Sequence, residues 1–358
     1  MSTVMASDHA DPALNTLLLP FATNQLTWPR VGGALFLHAR TGAMLHEVAR
    51  PGLLCEQSYK PAFNALTREG WSLCTAEEAE AKQYPLVLVL PPRQRHEARA
   101  LLARAVACCA TGGTVVACMV NDEGARSGES DLKALAGLSG SLSKSHCRVY
   151  WSTVDAASCN AALLASWRGL DAPRQILAGR FTSRPGVFAW DRIDPASALL
   201  AENLPPTLSG SAADLGCGFG YLSVELLHRC PGITSLDVYE ADRRALDLAR
   251  QNLAFFADRA SLKFEWHDVT AGLPRRYNVM VCNPPFHAQG AGDRPDIGRA
   301  FIAVAAEALL PGGRLWMVAN RHLPYESVLD ARFGSARIVT QAQGFKIIEA
   351  VKSTGARA

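Results

Sequence analysis

An internal echo constrains this chain more than any other feature. The stretch YPLVLVLPP at 84–92 parallels YNVMVCNPP at 277–285, and a tyrosine opens both. Each is followed by an alanine-rich segment of helical character, then by Gly112-Gly113 or Gly312-Gly313 and a second apolar run. A strand, helix, turn, strand unit that recurs in this way predicts a duplicated α/β domain. The 358 residues suit two domains better than one core.

The copies differ where a ligand would sit. Leu90 occupies the position of Asn283, and 26 residues (286–311) separate Pro-Pro from Gly-Gly in the second copy against 19 (93–111) in the first. The glycine-rich DLGCGFG at 214–220 has only a ghost, FLHARTG at 36–42, with one glycine left. The expectation is a duplicated fold with one working site. Domains are expected at 1–165 (the degenerate copy) and 186–358, joined by an irregular Gly- and Pro-punctuated linker at 166–185.

Apolar residues make up 49% of the chain and charged ones 19%, which argues against long disorder. Lys and Arg number 36 against 33 acidic residues, a balance of +3 that neither demands nor excludes an RNA partner. The N-terminal stretch lacks early basic residues and fails the secretory pattern, and no apolar run approaches the roughly 20 residues of a membrane helix. Ten cysteines without a Cys-x-x-Cys unit or zinc-spaced histidines read as reduced thiols, with no metal. A cytoplasmic monomer is the expectation.

From residue 211 onward, short β-like runs alternate with helical patterns, as in a parallel sheet covered by helices. SAADL leads into the glycine turn. A helix at 221–229 is stopped by Pro231 and Gly232; ITSLDVY is the next strand, and a helix at 241–254 carries Leu246, Ala249 and Leu253 on one face. LKFEW, NVMVC and RLWMVA supply three more strands, while RIVT and FKIIEAV, with no helix between them, predict an antiparallel pair closing the sheet.

Gly216, Gly218 and Gly220 stand directly after an apolar strand and before a helix, where glycine allows a sharp turn and close approach of a ligand. A nicotinamide loop wants its third glycine where Tyr221 stands, and a P-loop needs a Lys that is lacking. A cofactor without phosphate fits better, and S-adenosylmethionine is such a cofactor. Glu240 ends the second strand, where a carboxylate can accept hydrogen bonds from ribose hydroxyls; a helix-start carboxylate is the alternative. Asp268 can take the adenine amino group or can simply form a turn. Asn283 ends the strand expected beside the glycine-loop strand. Its amide oxygen and the carbonyl of Pro284 can accept both hydrogens of a planar exocyclic amine and aim the nitrogen at a donor methyl. Pro285 stiffens the turn, and Phe286 offers a face on which a base can stack.

PGVFAWDRID, DLGCGFG, CNPPFH and VANRHLPYESVL together resemble the bacterial ribosomal RNA guanine-N2 methyltransferases, above all the small-subunit 16S enzyme, with its 23S relative close behind. The resemblance implies two tandem class I methyltransferase (Rossmann-like) domains with seven-stranded, mostly parallel sheets, the N-terminal copy degenerate and serving to support folding and position ribosomal RNA. It implies that Asp214, Gly216, Gly218, Gly220 and Glu240 hold S-adenosylmethionine with Asp268 near its adenine. Asn283, Pro284, Pro285 and Phe286 then form the guanine pocket, and Phe188 and Asp194 help to enclose the cofactor. Asn278 follows Tyr277 where family members often carry Asp, and the segment from NRHLPYE onward is as similar to the 23S relatives as to the 16S ones.

Other residues have plainer readings beside functional ones. His287 and His322 suit either RNA contact or an exposed loop, and Arg321 suits a phosphate. Cys217 and Cys282 read as small buried residues. RQRHEARALLAR at 93–104 puts four arginines on a helix, either a solvated basic face or an RNA-docking one.

Overall fold

The computed structural model describes residues 11–285 and 295–355. The chain divides into two units, Met1–Ala172 and Pro173–Ala358.

Seven strands of the first unit form one sheet: β1 (Ala34–Leu37), β2 (Leu53–Glu56), β3 (Ser72–Cys74), β4 (Tyr84–Val89), β5 (Cys109–Val120), β6 (Gly140–Lys144) and β7 (Cys147–Thr153). Their order is β3-β2-β1-β4-β5-β7-β6, with only β7 running against the rest. The stretch expected to be an irregular linker contains a small antiparallel hairpin, β8 (Arg174–Ile176) with β9 (Phe181–Ser183). Ile176 and Phe181, a pair in that hairpin, are buried in the core of the second unit, so apolar packing orders a segment whose Gly and Pro content suggests a tether.

The second unit repeats the first strand for strand: β10 (Ser209–Leu215), β11 (Gly232–Glu240), β12 (Ser261–Trp266), β13 (Tyr277–Cys282), β14 (Leu309–Asn320), β15 (Ser335–Ala342) and β16 (Phe345–Val351). The order is β12-β11-β10-β13-β14-β16-β15, with β16 alone reversed. Both sheets are therefore the seven-stranded, mostly parallel α/β sheets that the sequence predicts, and RIVT and FKIIEAV fall in the antiparallel pair.

The strands read as near-continuous apolar runs because both sheet faces are covered. Alternate residues of β13 enter different cores: Val279 and Val281 pack with the glycine-loop side, Met280 and Cys282 with the opposite side. One sequence expectation changes. Tyr84 pairs with Cys109 but Leu86 with Thr114, and likewise Tyr277 with Leu309 but Val279 with Arg314. Each Gly-Gly therefore lies in a bulge inside a long strand rather than in a turn before it.

The chain winds outward from β10 through β11 to β12, then returns on the other side of β10 as β13. Such a reversal opens a crevice at the carboxyl ends of β10 and β13. In the first unit the equivalent edge is filled. Leu90 is 1% exposed, and His38 holds Leu90 O at 3.1 Å through Nδ1.

Candidate active site

Leu215 pairs with Tyr239 on one side and with Cys282 on the other. The next residues of the three strands, Glu240, Gly216 and Asn283, therefore stand abreast at the carboxyl edge. Strands lie about 4.8 Å apart, so the backbones of Glu240 and Asn283 are about 10 Å apart across the glycine turn. That spacing suits a ligand held at one end by a carboxylate and presented to a carboxamide at the other.

The turn is tied down by Gly216 N and Cys217 N, which donate to Tyr239 O at 2.9 and 3.1 Å. Gly218 has φ +56°, and a Cβ there would meet nothing within 4 Å, which leaves open space over the turn. Gly220, at φ +92°, would place a Cβ 3.2 Å from Ala249 Cα. Its bareness lets the helix Tyr221–Arg229 start against the helix Arg243–Leu253.

Glu240 is half-buried, with Oε2 accepting from Gly218 N at 2.8 Å and Oε1 from Asp242 N at 2.9 Å. Burial raises its pKa, with the backbone N–H donors opposing the shift. Each carboxylate oxygen keeps a second lone pair for a ligand hydroxyl. Asp214 is wholly buried beneath the turn, where Oδ2 accepts from Ser223 Oγ at 2.7 Å and Oδ1 has no partner among the described residues. Burial pushes its pKa up to about 7; the Ser223 hydrogen bond opposes the rise and the nearby charge of Glu240 adds to it.

Asn283 is half-buried, and its Nδ2 donates to Asp194 Oδ2 and to Ser197 Oγ, both at 2.9 Å. Pro284 is buried and Pro285 exposed. Asp194, Ser197, Asn283, Gly218 and Phe188 line one cavity, and Phe188 is 64% exposed there. The structure thus gathers Asn283, the glycine turn, Phe188 and Asp194. Ser197 is absent from the sequence reading, although Asp-x-x-Ser at a helix start is a capping signal that points to it.

Asp268, two residues beyond the Glu240–Trp266 pair at the same sheet edge, accepts from Thr270 N at 3.0 Å and Thr270 Oγ1 at 2.6 Å through Oδ1 and caps the short helix Val269–Ala271. Phe286 and His287 lie outside the described residues. Arg321 and His322 are exposed just beyond β14, at the same sheet edge as Asn283. Cys217 and Cys282 are buried, and burial pushes both thiols up. Asn278 binds Ser211 N at 3.0 Å near the opposite end of β13, so its departure from the family pattern lies away from the site.

The basic-face reading of 93–104 needs correction. Arg99 forms two 2.9 Å bonds to Asp131 and stacks over Trp167 at 4.5 Å; Arg104 bonds Glu56 at 2.6 Å and Glu80 at 2.7 Å. Arg93 and Arg95 are exposed. Among the described residues no cluster of three or more His, Cys, Asp or Glu can hold a metal, and no helix is long and apolar enough to cross a membrane.

Residues 178–349 match the family described as Methyltransferase small domain. The 16S rRNA N2 methyltransferase RsmC of T. thermophilus, solved in complex with AdoMet and guanosine, superposes with a TM-score of 0.76 at 25% identity, over 97% of this chain and 93% of that one. The ribosomal RNA small subunit methyltransferase C of Erwinia tasmaniensis is 31% identical over 268 residues, covering 74% of this chain and 75% of the relative. The chain belongs to the ribosomal RNA guanine-N2 methyltransferase family. This methyltransferase family also accounts for a second match: the ribosomal RNA large subunit methyltransferase G of Shewanella amazonensis is 33% identical over 223 residues, 62% of this chain and 56% of that one. The RsmC superposition spans both units, so the duplication belongs to the methyltransferase architecture.

Proposed function

We propose that the protein transfers a methyl group from S-adenosylmethionine to the exocyclic N2 amine of a guanine in ribosomal RNA, the small-subunit 16S RNA in particular. The observation that carries this reading is the alignment of Glu240, the glycine turn and Asn283 on three adjacent strand ends. Family membership supports it, as does the match to a relative solved with AdoMet and guanosine. The small-subunit assignment is supported by the fuller coverage of methyltransferase C, 75% of its length against 56% of methyltransferase G. This reading places the protein in the cytoplasm, beside its ribosomal RNA substrate.

The residues present fit the cofactor. Asp214 Oδ1, buried and unpartnered among the described residues, sits beneath the turn, and an acceptor so placed suits a cationic ligand. The space over Gly218 admits a ligand where a side chain would intrude, and Glu240 has lone pairs for a ribose diol. When bound, the cofactor supplies an electrophilic methyl on a sulfonium.

The chain's own part is orientation. Asn283 Oδ1 and Pro284 O accept the two amine hydrogens, which fixes the nitrogen lone pair toward the methyl. The amine nitrogen would take the methyl from the sulfonium, the C–S electron pair staying on sulfur, and release one proton to solvent water, so no strong general base is needed. Phe188, exposed at the cavity rim, shields the bound cofactor from water. The first unit supports folding and positions the RNA: Leu90, Gln57 and His38 occupy its sites for Asn283, Glu240 and Gly216, and an apolar, amide-plugged edge has no use for the cofactor.

Nucleoside mass spectrometry on separated 16S and 23S RNA from cells lacking the protein tests this. One N2-methylguanosine missing from 16S RNA supports it. Loss from 23S RNA alone moves the substrate to the large subunit, and complete modification of both overturns the activity.

A further inference from the structure

The Asn283 carboxamide is held from behind. Its Nδ2 donates both hydrogens to protein, one to Asp194 Oδ2 and one to Ser197 Oγ, each at 2.9 Å. A carboxamide nitrogen has two hydrogens and no accepting lone pair, so both bonds exhaust it. The same Asp194 Oδ2 accepts Ser197 N at 2.9 Å and caps the helix Pro195–Glu202. An ionised carboxylate only accepts, so the carboxamide atom facing Asp194 must be nitrogen: an oxygen turned that way would put two acceptors in contact.

We propose that Asp194 and Ser197 are positioning residues that lock the Asn283 carboxamide with its nitrogen turned inward, so that only Oδ1 faces the substrate. The locked amide offers the incoming base an acceptor and no donor. With Pro284 O beside it, the pocket selects a group with two N–H hydrogens and repels a base carbonyl. An unlocked Asn283 presents Nδ2 for part of the time, and Nδ2 binds a carbonyl as readily as Oδ1 binds an amine. The helix cap thus doubles as the device that distinguishes an exocyclic amine from a keto oxygen at the methyl-accepting position. This inference rests on the reading that Asn283 holds the target amine.

Asp194→Gly separates positioning from folding, because Gly is tolerated at a helix start nearly as well as Asp. It removes the one oxygen that both Ser197 N and Asn283 Nδ2 use, and the carboxamide is then free to turn. The expected result is a fall of about ten- to a hundredfold in kcat for methyl transfer, the size of losing one hydrogen bond to a charged group. The Kd for S-adenosylmethionine and the melting temperature stay near wild type. Ser197→Ala keeps the Asp194 cap and lowers kcat by a smaller factor, about tenfold or less.

Reversing the polarity gives a readout that a structural role would not move. Asn283→Asp alone sets two carboxylates against each other and loses activity. Adding Asp194→Asn lets the new amide donate to the new carboxylate, and activity recovers at least about tenfold over the single Asn283→Asp variant. In an Asn283→Ala background, Asp194→Gly has no further effect. A kcat for Asp194→Gly within twofold of wild type, or a double variant no better than Asn283→Asp, overturns the inference while leaving the function intact. Full methyl transfer by Asn283→Ala overturns the function itself.

Discussion

Replacing Glu240 with Gln exchanges one oxygen for an NH2 group and leaves the shape unchanged, so its effect can be worked out from four atoms. Glu240 accepts Gly218 N at 2.8 Å through one oxygen and Asp242 N at 2.9 Å through the other. A glutamine can satisfy one of these; whichever way it turns, its NH2 meets an N–H. A hydrogen bond to a charged group is worth about 1.5–3 kcal/mol, and each 1.4 kcal/mol is about tenfold in affinity. S-adenosylmethionine should therefore bind about ten- to a hundredfold more weakly. The first unit shows what a glutamine requires at this position. Gln57 accepts Tyr59 N at 2.8 Å through Oε1, and its Nε2 donates to Ala39 O at 2.7 Å, so the chain there turns a carbonyl toward the side chain. The turn at Gly218 presents an N–H instead. Calorimetric titration of Glu240→Gln with S-adenosylmethionine, alongside melting of the ligand-free protein, measures the change. A Kd within twofold of wild type in a folded variant would show that this carboxylate does not hold the cofactor.

Three further outcomes follow from the packing and the charges. Gly220→Ala combines a left-handed φ with a Cβ 3.2 Å from Ala249 Cα, and should cost about 1–3 kcal/mol of stability; an unchanged denaturation midpoint contradicts the close-packed turn. Asp214 has its folded pKa at about 7, above the ordinary 3.8, so its stabilising contribution is complete below about pH 3.8 and is lost as pH rises toward 7. At 1.36 kcal/mol per pH unit this amounts to about 4 kcal/mol. Ligand-free Asp214→Asn should accordingly gain on wild type between pH 4 and 7, whereas a difference independent of pH refutes the buried-acid account. Tyr277→Phe removes 2.6 Å bonds to Asp237 and to Tyr239 in the core, and should lower stability by about 1–3 kcal/mol, read from urea unfolding, while leaving kcat unchanged. A large loss of kcat with normal stability would instead place that hydroxyl in the reaction.

The parallel strands were legible because a sheet covered on both faces demands long apolar runs, and YPLVLV and YNVMVC are such runs. Asn283 and the glycine turn stood out because a polar residue and bare glycines interrupt those runs where the sheet ends. What was hidden depends on contacts distant in sequence. Nothing local distinguishes Arg99 and Arg104, which meet Asp131, Glu56 and Glu80, from arginines that face water. Ser197 reads as an ordinary helix-start serine until Asn283, 86 positions away, is brought against it. The correspondence of Gln57 with Glu240 appears only once strand register is known, because the stretches around the two residues share little. A Gly-Gly pair suits a turn and a bulge equally in sequence, and only strand pairing tells them apart.

The central claim is that Asn283 orients a guanine amine for methyl transfer while other residues hold the cofactor. Purified wild-type and Asn283→Ala proteins, given radiolabelled S-adenosylmethionine and 16S RNA lacking the modification, test it most directly. Wild type should produce N2-methylguanosine, and the variant should yield none while binding the cofactor with unchanged Kd. Full transfer by the variant, or loss of cofactor binding together with transfer, would contradict the account.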